Sequence, residues 1–459
     1  MSNPRSSRIG KRIFALVFAL VAVPAQLFSQ QVSGFSVPVE YHKLANGLKV
    51  VLSTDHNGPS ATMCLYYGVG SRNEPRNRTG FSHLYEHMMF QGSENLGKNE
   101  FAKLVESNGG SLNGSTWLDY TNFVENFPAH TLRTMLWAEA DRMRNLAVDQ
   151  AMLTNQEGVV KSEVRVKVLN QPYGGFPWAD IPQYANVNWY NSHNGYGDLA
   201  DLDAATLDDV RAFHKTYYAP NNAVLVIVGD FEPTDALAMV REYFGNIPSV
   251  QQPPAPDLSE PRQEKAKHAS KPDEKANRPA LAFAYHMPDR GTPEFYAMGV
   301  IDQILLQGKD AQLRDALVTR GGLTGSVYGG INLGSNMFTY SGPMLWTVYM
   351  LHDKEVTEAR ILAASDSVIE SLRTSPVRKA VLERARIKLR SSFYEMVNSG
   401  FGRANLLGSF ALFDDDPGLI NNIESEFRKV TPETVRKTAA EYLRPTNRTV
   451  LTIEPKAAP

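Results

Sequence analysis

Two stretches of this chain superpose without a gap at a separation of 225 residues: TLDDVRAFHKTYYAPNNAVLV (206–226) and TPETVRKTAAEYLRPTNRTVL (431–451), which share Thr206/Thr431, Val210/Val435, Arg211/Arg436, Tyr217/Tyr442, Pro220/Pro445 and Asn222/Asn447. Each copy reads as a helix capped by its threonine, a Pro-Asn turn, and an apolar strand. A second echo lies upstream, where MMFQG (88–92) matches ILLQG (304–308), each followed by a polar stretch, a helix ending in Leu-Val and a Gly-Gly turn. A chain that repeats itself at this distance is built from two versions of one domain. The proline-rich, charged and almost apolar-free segment at 250–277 has the composition of an exposed linker. We therefore expect domains at 35–249 and 278–457. Runs such as LKVVLS and ATMCLYYGV alternate with amphipathic stretches such as HTLRTMLWAEADRMRNL. That pattern implies two homologous α+β domains, each a mainly antiparallel sheet with helices packed on one face.

The 459 residues are 42% hydrophobic and 21% charged, which excludes wholesale disorder and a polytopic membrane protein. Residues 1–30 differ: Arg5, Arg8, Lys11 and Arg12 precede the apolar run IFALVFALVAV, and Pro24, Ala25 and Ser29 follow it. This reads as a secretory signal peptide, because the run is shorter than the roughly 20 residues that span a bilayer. An exported protein of the bacterial periplasm or extracellular space is expected, membrane-associated if the segment stays uncleaved. Its removal leaves 43 basic against 49 acidic residues, a balance that disfavours nucleic acid as a partner. With Cys64 alone, no internal disulfide and no cysteine metal site can form. It reads as a small buried residue of a strand.

The stretch GFSHLYEHMMFQG (80–92) carries the chemistry. On a helix His83 and His87 stand at i and i+4 and project from one face, with Glu86 beside them. Two neutral imidazoles can share one zinc ion with a carboxylate, leaving a position for water, and Glu86 is placed to act as general base. An ordinary helix whose polar face carries two histidines would show the same five residues.

The wider context separates these readings. His-x-x-Glu-His is the inverzincin order, and GFSHLYEHMMFQGSENLGKNEFAKLVESNGGSLNGSTWLDYTNFVENFP resembles the pitrilysin/insulinase family of zinc peptidases over its whole length. The resemblance implies a zinc metalloendopeptidase, with a two-domain chain corresponding to the half-length form, similar to mitochondrial processing peptidase subunits. It implies a third ligand on a later helix, matched by Glu163, which has 75 residues between it and His87. Glu157, about two helical turns earlier, is then an acid supporting the ligands from behind or a surface acid. It implies that Asn113, Gly114 and Ser115, within SLNGSTW, form an edge strand that binds the substrate backbone, Gly114 replacing the usual alanine. In the second copy His83, Glu86 and His87 fall on Gly299, Asp302 and Gln303, so one zinc per chain is expected. The arginine and tyrosine with which full-length members stabilise the oxyanion are replaced by Val318 and Gly325, with Arg320 and Tyr328 out of register. The expected enzyme is thus one half of a dimeric chamber. Its partner would be a second half-length chain carrying that pair, although a homodimer is possible. The alternatives are a non-catalytic structural or assembly subunit and a peptide-binding protein of the same fold. His130, His193 and His214 lack a partner at ligand spacing and read as surface or capping residues.

Overall fold

In the computed structural model, which describes residues 35–455, the apolar runs of the first half form β1 (Glu40–Lys43), β2 (Lys49–Thr54), β3 (Ser60–Tyr67), β4 (Ser111–Thr116), β5 (Thr121–Pro128) and β6 (Ala223–Gly229). The segment read as a signal peptide lies outside the described residues. The sheet order is β1-β2-β6-β3-β5-β4, with β2 parallel to β6 and every other pair antiparallel. β6, AVLVIVG, is buried at every position, as a central strand covered on both faces must be.

The second half repeats this plan. β7 (Lys267–Asp273), β8 (Ala280–His286), β9 (Tyr328–Ile331), β10 (Leu345–Leu351) and β11 (Arg448–Pro455) are ordered β7-β11-β8-β10-β9, again with one parallel pair, β7 on β11. The repeated segments behave as the sequence implies. Thr206 caps the helix Leu207–Tyr217 and Thr431 caps Pro432–Tyr442, each accepting a backbone N–H three residues on, and each helix turns through a short 3-10 segment into β6 or β11. The chain thus forms two α+β domains. The segment read as linker needs one correction, since its residues 267–273 are the edge strand β7. The strand alternates half-buried with exposed residues, KHASKPD, so it presents the polar composition of a linker while pairing along one side only.

Each half covers one face of its sheet with its own helices, as expected. The other face is covered by the other half. Alternate residues of β3 diverge: Met63, Leu65 and Tyr67 join the first half's helical core, whereas Cys64 and Tyr66 face Leu406, Leu407 and Phe410 of the helix Gly400–Phe413. Tyr66 reaches Asn405 at 3.1 Å, and Lys49 Nζ donates to the carbonyl of Ala411 at 2.8 Å. In return the helix Asp180–Ala185 lays Ile181 and Ala185 on the small-residue face of β8, made by Ala280, Ala282 and Ala284, while Leu281, Phe283 and Tyr285 face the opposite core. The period of two along β8 sorts small from large residues, and only the small face admits a helix this close.

Gly408 marks the contact. A Cβ there would lie 2.4 Å from the Tyr66 ring. Gly408→Ala is therefore expected to cost about 1–3 kcal/mol through overpacking, measured as a lower urea midpoint. Gly158→Ala, on the open side of the helix Gln150–Val164 with nothing within 4 Å, should instead raise stability by up to about 1 kcal/mol.

Candidate metal centre

Gly80, at φ +83°, opens the helix Phe81–Met88, which carries His83, Glu86 and His87. Its position is fixed from outside. The carboxylate of Glu74, fully buried, accepts the backbone N–H groups of Gly80 and Ser82 at 2.8 and 2.7 Å, so a negative group satisfies donors at the positive end of the helix. Gly197, at φ +80°, packs against Gly80 so closely that a Cβ would stand 2.4 Å from the Gly80 Cα. Both positions require glycine.

The helix Gln150–Val164 crosses behind and brings Glu163 to the two imidazoles. Glu163 Oε2 lies 3.9 Å from His83 Nε2 and 3.3 Å from His87 Nε2. One ligand atom from each of the three residues falls within 4.8 Å of the others, and among the described residues this is the group of three able to hold a metal ion. The electrostatics suit a cation. Burial, reinforced by the charge of His87, pushes His83 down to about 4, and burial lowers His87 as well, so both rings are neutral and their lone pairs free. Burial alone would raise Glu163, but the hydrogen bond from Lys167 Nζ to Oε1 at 2.6 Å, together with the charge of the two histidines when they are protonated, holds it below the usual carboxylate range. Two neutral imidazoles and one carboxylate are a catalytic zinc donor set.

Glu86 lies near the triad and against β4. Its Oε2 accepts the Thr116 hydroxyl at 2.6 Å. Burial pushes Glu86 up to about 7 against the pull of that bond, near the pH at which a general base exchanges protons most effectively. Gly114, on the same face of β4 as Thr116, leaves room for this carboxylate: a Cβ there would sit 3.0 Å from Glu86 Oε1. Among the described residues β4 is the edge of its sheet, paired only with β5. Asn113 is exposed on it, whereas the Ser115 hydroxyl is engaged with Asn122 and with Trp117 Nε1, so this side chain is committed within the protein.

Several residues of the site escaped the sequence reading. Thr116 was legible in principle, since the period of two places it beside Gly114 on one face of β4. Glu74 was not, because six residues of irregular chain separate it from the helix it caps. Gln156 hydrogen-bonds with His87, while Glu157, one residue later, has Lys161 and Asp203 as its charged neighbours. His130 is exposed as expected. His193 is a capping residue, as expected, closing the short helix Trp189–Ser192 with its side chain 6% exposed, stacked on Trp189 and with its Nε2 3.6 Å from Glu74, whereas His214 is not a surface residue and stacks on Tyr85 and Tyr218. Trp189 and Tyr218 stand only four residues away along the chain, whereas Glu74 and Tyr85 come from distant parts of it, which spacing does not reveal. Arg320 is paired with Asp315, and Tyr328 lies exposed on β9 beside Tyr349. In the second copy a Cβ on Gly299 would meet Phe427 at 2.9 Å and Met337 at 3.0 Å, so no histidine fits there.

Known proteins share this fold. Residues 49–172 match the family described as Insulinase (Peptidase family M16), and residues 204–389 match the Peptidase M16 inactive domain. Zinc protease PqqE of Helicobacter pylori is 25% identical over 90% of this chain and 92% of its own. The crystal structure of a protease from Helicobacter pylori superposes with a TM-score of 0.84 at 23% identity, covering 91% of this chain and all of that one. Pitrilysin superposes with a TM-score of 0.74 at 18% identity, covering 92% of this chain and 45% of its own.

If Glu163 is the carboxylate ligand, Glu163→Gln should release zinc from the purified chain under dialysis while Glu157→Gln retains it. Metal content by emission spectroscopy decides this, and a larger loss from Glu157→Gln would reassign the ligand.

Proposed function

We propose that this chain, which has the zinc-protease fold of the insulinase (M16) family in two homologous domains, is an exported endopeptidase that cuts peptides or unfolded segments enclosed between it and a second half-length chain. The observation that carries the enzymatic reading is one helix contributing both to the triad His83, His87 and Glu163 and to a separate aimed base, Glu86. The chain is a zinc metalloendopeptidase. A peptide-capturing protein would have no use for a buried, oriented carboxylate beside its metal.

Zinc held by the triad supplies Lewis-acid polarisation and makes water more acidic. The chain supplies the rest. A substrate segment added to the free edge of β4 would have its backbone held by strand pairing, which places a carbonyl beside the helix with little demand on side-chain identity. Glu86 takes a proton from the attacking water as the new C–O bond forms, then delivers it to the departing amine nitrogen as the C–N bond breaks. Thr116 holds the carboxylate in line for both transfers.

Enclosure by a partner is supported by the outer surface around the site. Val159, Val166, Leu169 and Trp178, on and after the helix that bears Glu163, leave large apolar side chains exposed. Val318 and Gly325 contribute no hydrogen-bonding side chain to the second domain. A second half-length chain carrying an arginine and a tyrosine there is the partner that fits, with a homodimer as the lesser form. Export rests on the amino-terminal sequence, and among the described residues no helix is long and apolar enough to cross a membrane.

Glu86→Gln should keep its zinc and lose at least about 10²- to 10⁴-fold in hydrolysis of a quenched peptide; undiminished turnover would remove Glu86 from the mechanism. The isolated chain should be weakly active and gain markedly when reconstituted with such a partner, as measured by specific activity with Glu86→Gln as the control that abolishes the gain. Full activity alone, unchanged on mixing, would sink the paired-chamber reading.

A further inference from the structure

Peptide hydrolysis develops negative charge on the carbonyl oxygen, and a hydrogen-bond donor aimed at that oxygen is among the largest single contributions a protease makes. The side chains around the triad are nearly all committed. Glu86 accepts, Lys167 is bonded to Glu163, Gln156 donates to Asn155, and Thr116 is spent on Glu86.

The hydroxyl of Tyr196 is not committed. The Tyr196 ring stands edge-on to the His83 imidazole, with centroids 5.5 Å apart, and Trp178 braces it from the other side at 5.1 Å. The described residues give its hydroxyl no hydrogen-bond partner, although the phenol lies close enough to Glu163, Lys167 and Glu86 to sense their charges. Its backbone is held to the site helix rather than to a free loop. Gly197 is wedged on Gly80, Asp198 N–H donates to the Thr79 hydroxyl at 2.9 Å, and Thr79 in turn donates to Asp201 through both its backbone N–H and its hydroxyl at 3.0 and 2.6 Å. A rigid turn that presents an unpaired phenol beside a metal-binding histidine is preorganised for a ligand.

We infer that Tyr196 is a catalytic residue of this chain, its phenolic O–H donating a hydrogen bond to the carbonyl oxygen of the scissile peptide as that oxygen becomes negative. This rests on the zinc-peptidase reading and deepens it. The phenol keeps its proton throughout: the water proton passes to Glu86 and on to the amine, and the hydrogen bond strengthens as the C–O bond forms and fades as the carboxylate product separates. The weak activity of the isolated chain is then Tyr196-dependent, and whatever a partner adds is additional.

The test uses the full, zinc-loaded chain. Tyr196→Phe preserves the ring against His83 and removes only the hydroxyl. It should lower kcat by roughly 10²-fold, leave KM and zinc content unchanged, and weaken binding of a phosphinic pseudopeptide that mimics the tetrahedral state far more than binding of a product peptide. The exposed Tyr184→Phe should change none of these. Wild-type kcat and pseudopeptide affinity in Tyr196→Phe would overturn the inference. So would loss of zinc from that variant, which would make Tyr196 part of the metal's support instead. A wild-type chain that holds no zinc and cleaves nothing, alone or paired, would refute the peptidase reading itself and this inference with it.

Discussion

Both sheets are apolar on two faces, and each half of the chain brings its main helices to only one of them. The exchange of Gly400–Phe413 for Asp180–Ala185 resolves this shortage and makes the two halves mutually dependent. Burial of the second faces stabilises at about 25 cal/mol per Å² of apolar surface, so a sheet left uncovered would lose many kcal/mol. A buried ion pair tightens the same junction. Arg72 holds Asp119 at 3.0 Å and donates to the carbonyl of Pro343, while Asp119 accepts the N–H groups of Ser341 and Gly342. Such a pair adds little net stability against an apolar substitute, but its geometry admits one arrangement of the two halves.

The site inherits its rigidity from this frame. The helix Phe81–Met88 packs on the first sheet through Leu84, Tyr85 and Met88, and its open end is pinned by Glu74. Nearby in the same core, Glu125, Glu139 and Arg142 are all buried, with Arg142 over the rings of Phe101 and Phe123 at 4.2 and 4.3 Å. Burial, aided by Glu139, pushes the Glu125 carboxyl well above the usual carboxylate range, and Arg142 reaches Glu139 and, at 3.7 Å, Glu125.

The second copy shows the same scaffold without the chemistry. Asp302, at the place of Glu86, accepts the indole N–H of Trp346 at 2.8 Å and is pushed up to about 6 by burial. The acid that lies against Thr116 beside the triad in one domain is an anchor for a core tryptophan in the other. Phe427 and Met337 occupy the space a metal-binding histidine would need at Gly299. The framework of strands and capped helices repeats because apolar spacing and threonine caps are local properties, whereas a metal site depends on what crosses it.

The sequence by itself determined the duplication, the α+β class, the capped helices at Thr206 and Thr431, and the i, i+4 pairing of His83 and His87. Each of these is written in spacing along a single element, where helical and strand periods relate number to direction. Glu163, the candidate third ligand, was reached through likeness to a family. Its arrival within 4 Å of both imidazoles was decided by the crossing of two helices. Tertiary structure alone decided the exchange of covering helices, the recruitment of residues 267–273 as a strand, the burial of His193 and His214, and the positions of Glu74, Thr116 and Tyr196 around the triad. Those contacts join residues that are irregular in sequence or far apart in it, and their energy comes from packing and hydrogen bonds that exist only once the sheets have closed on both faces.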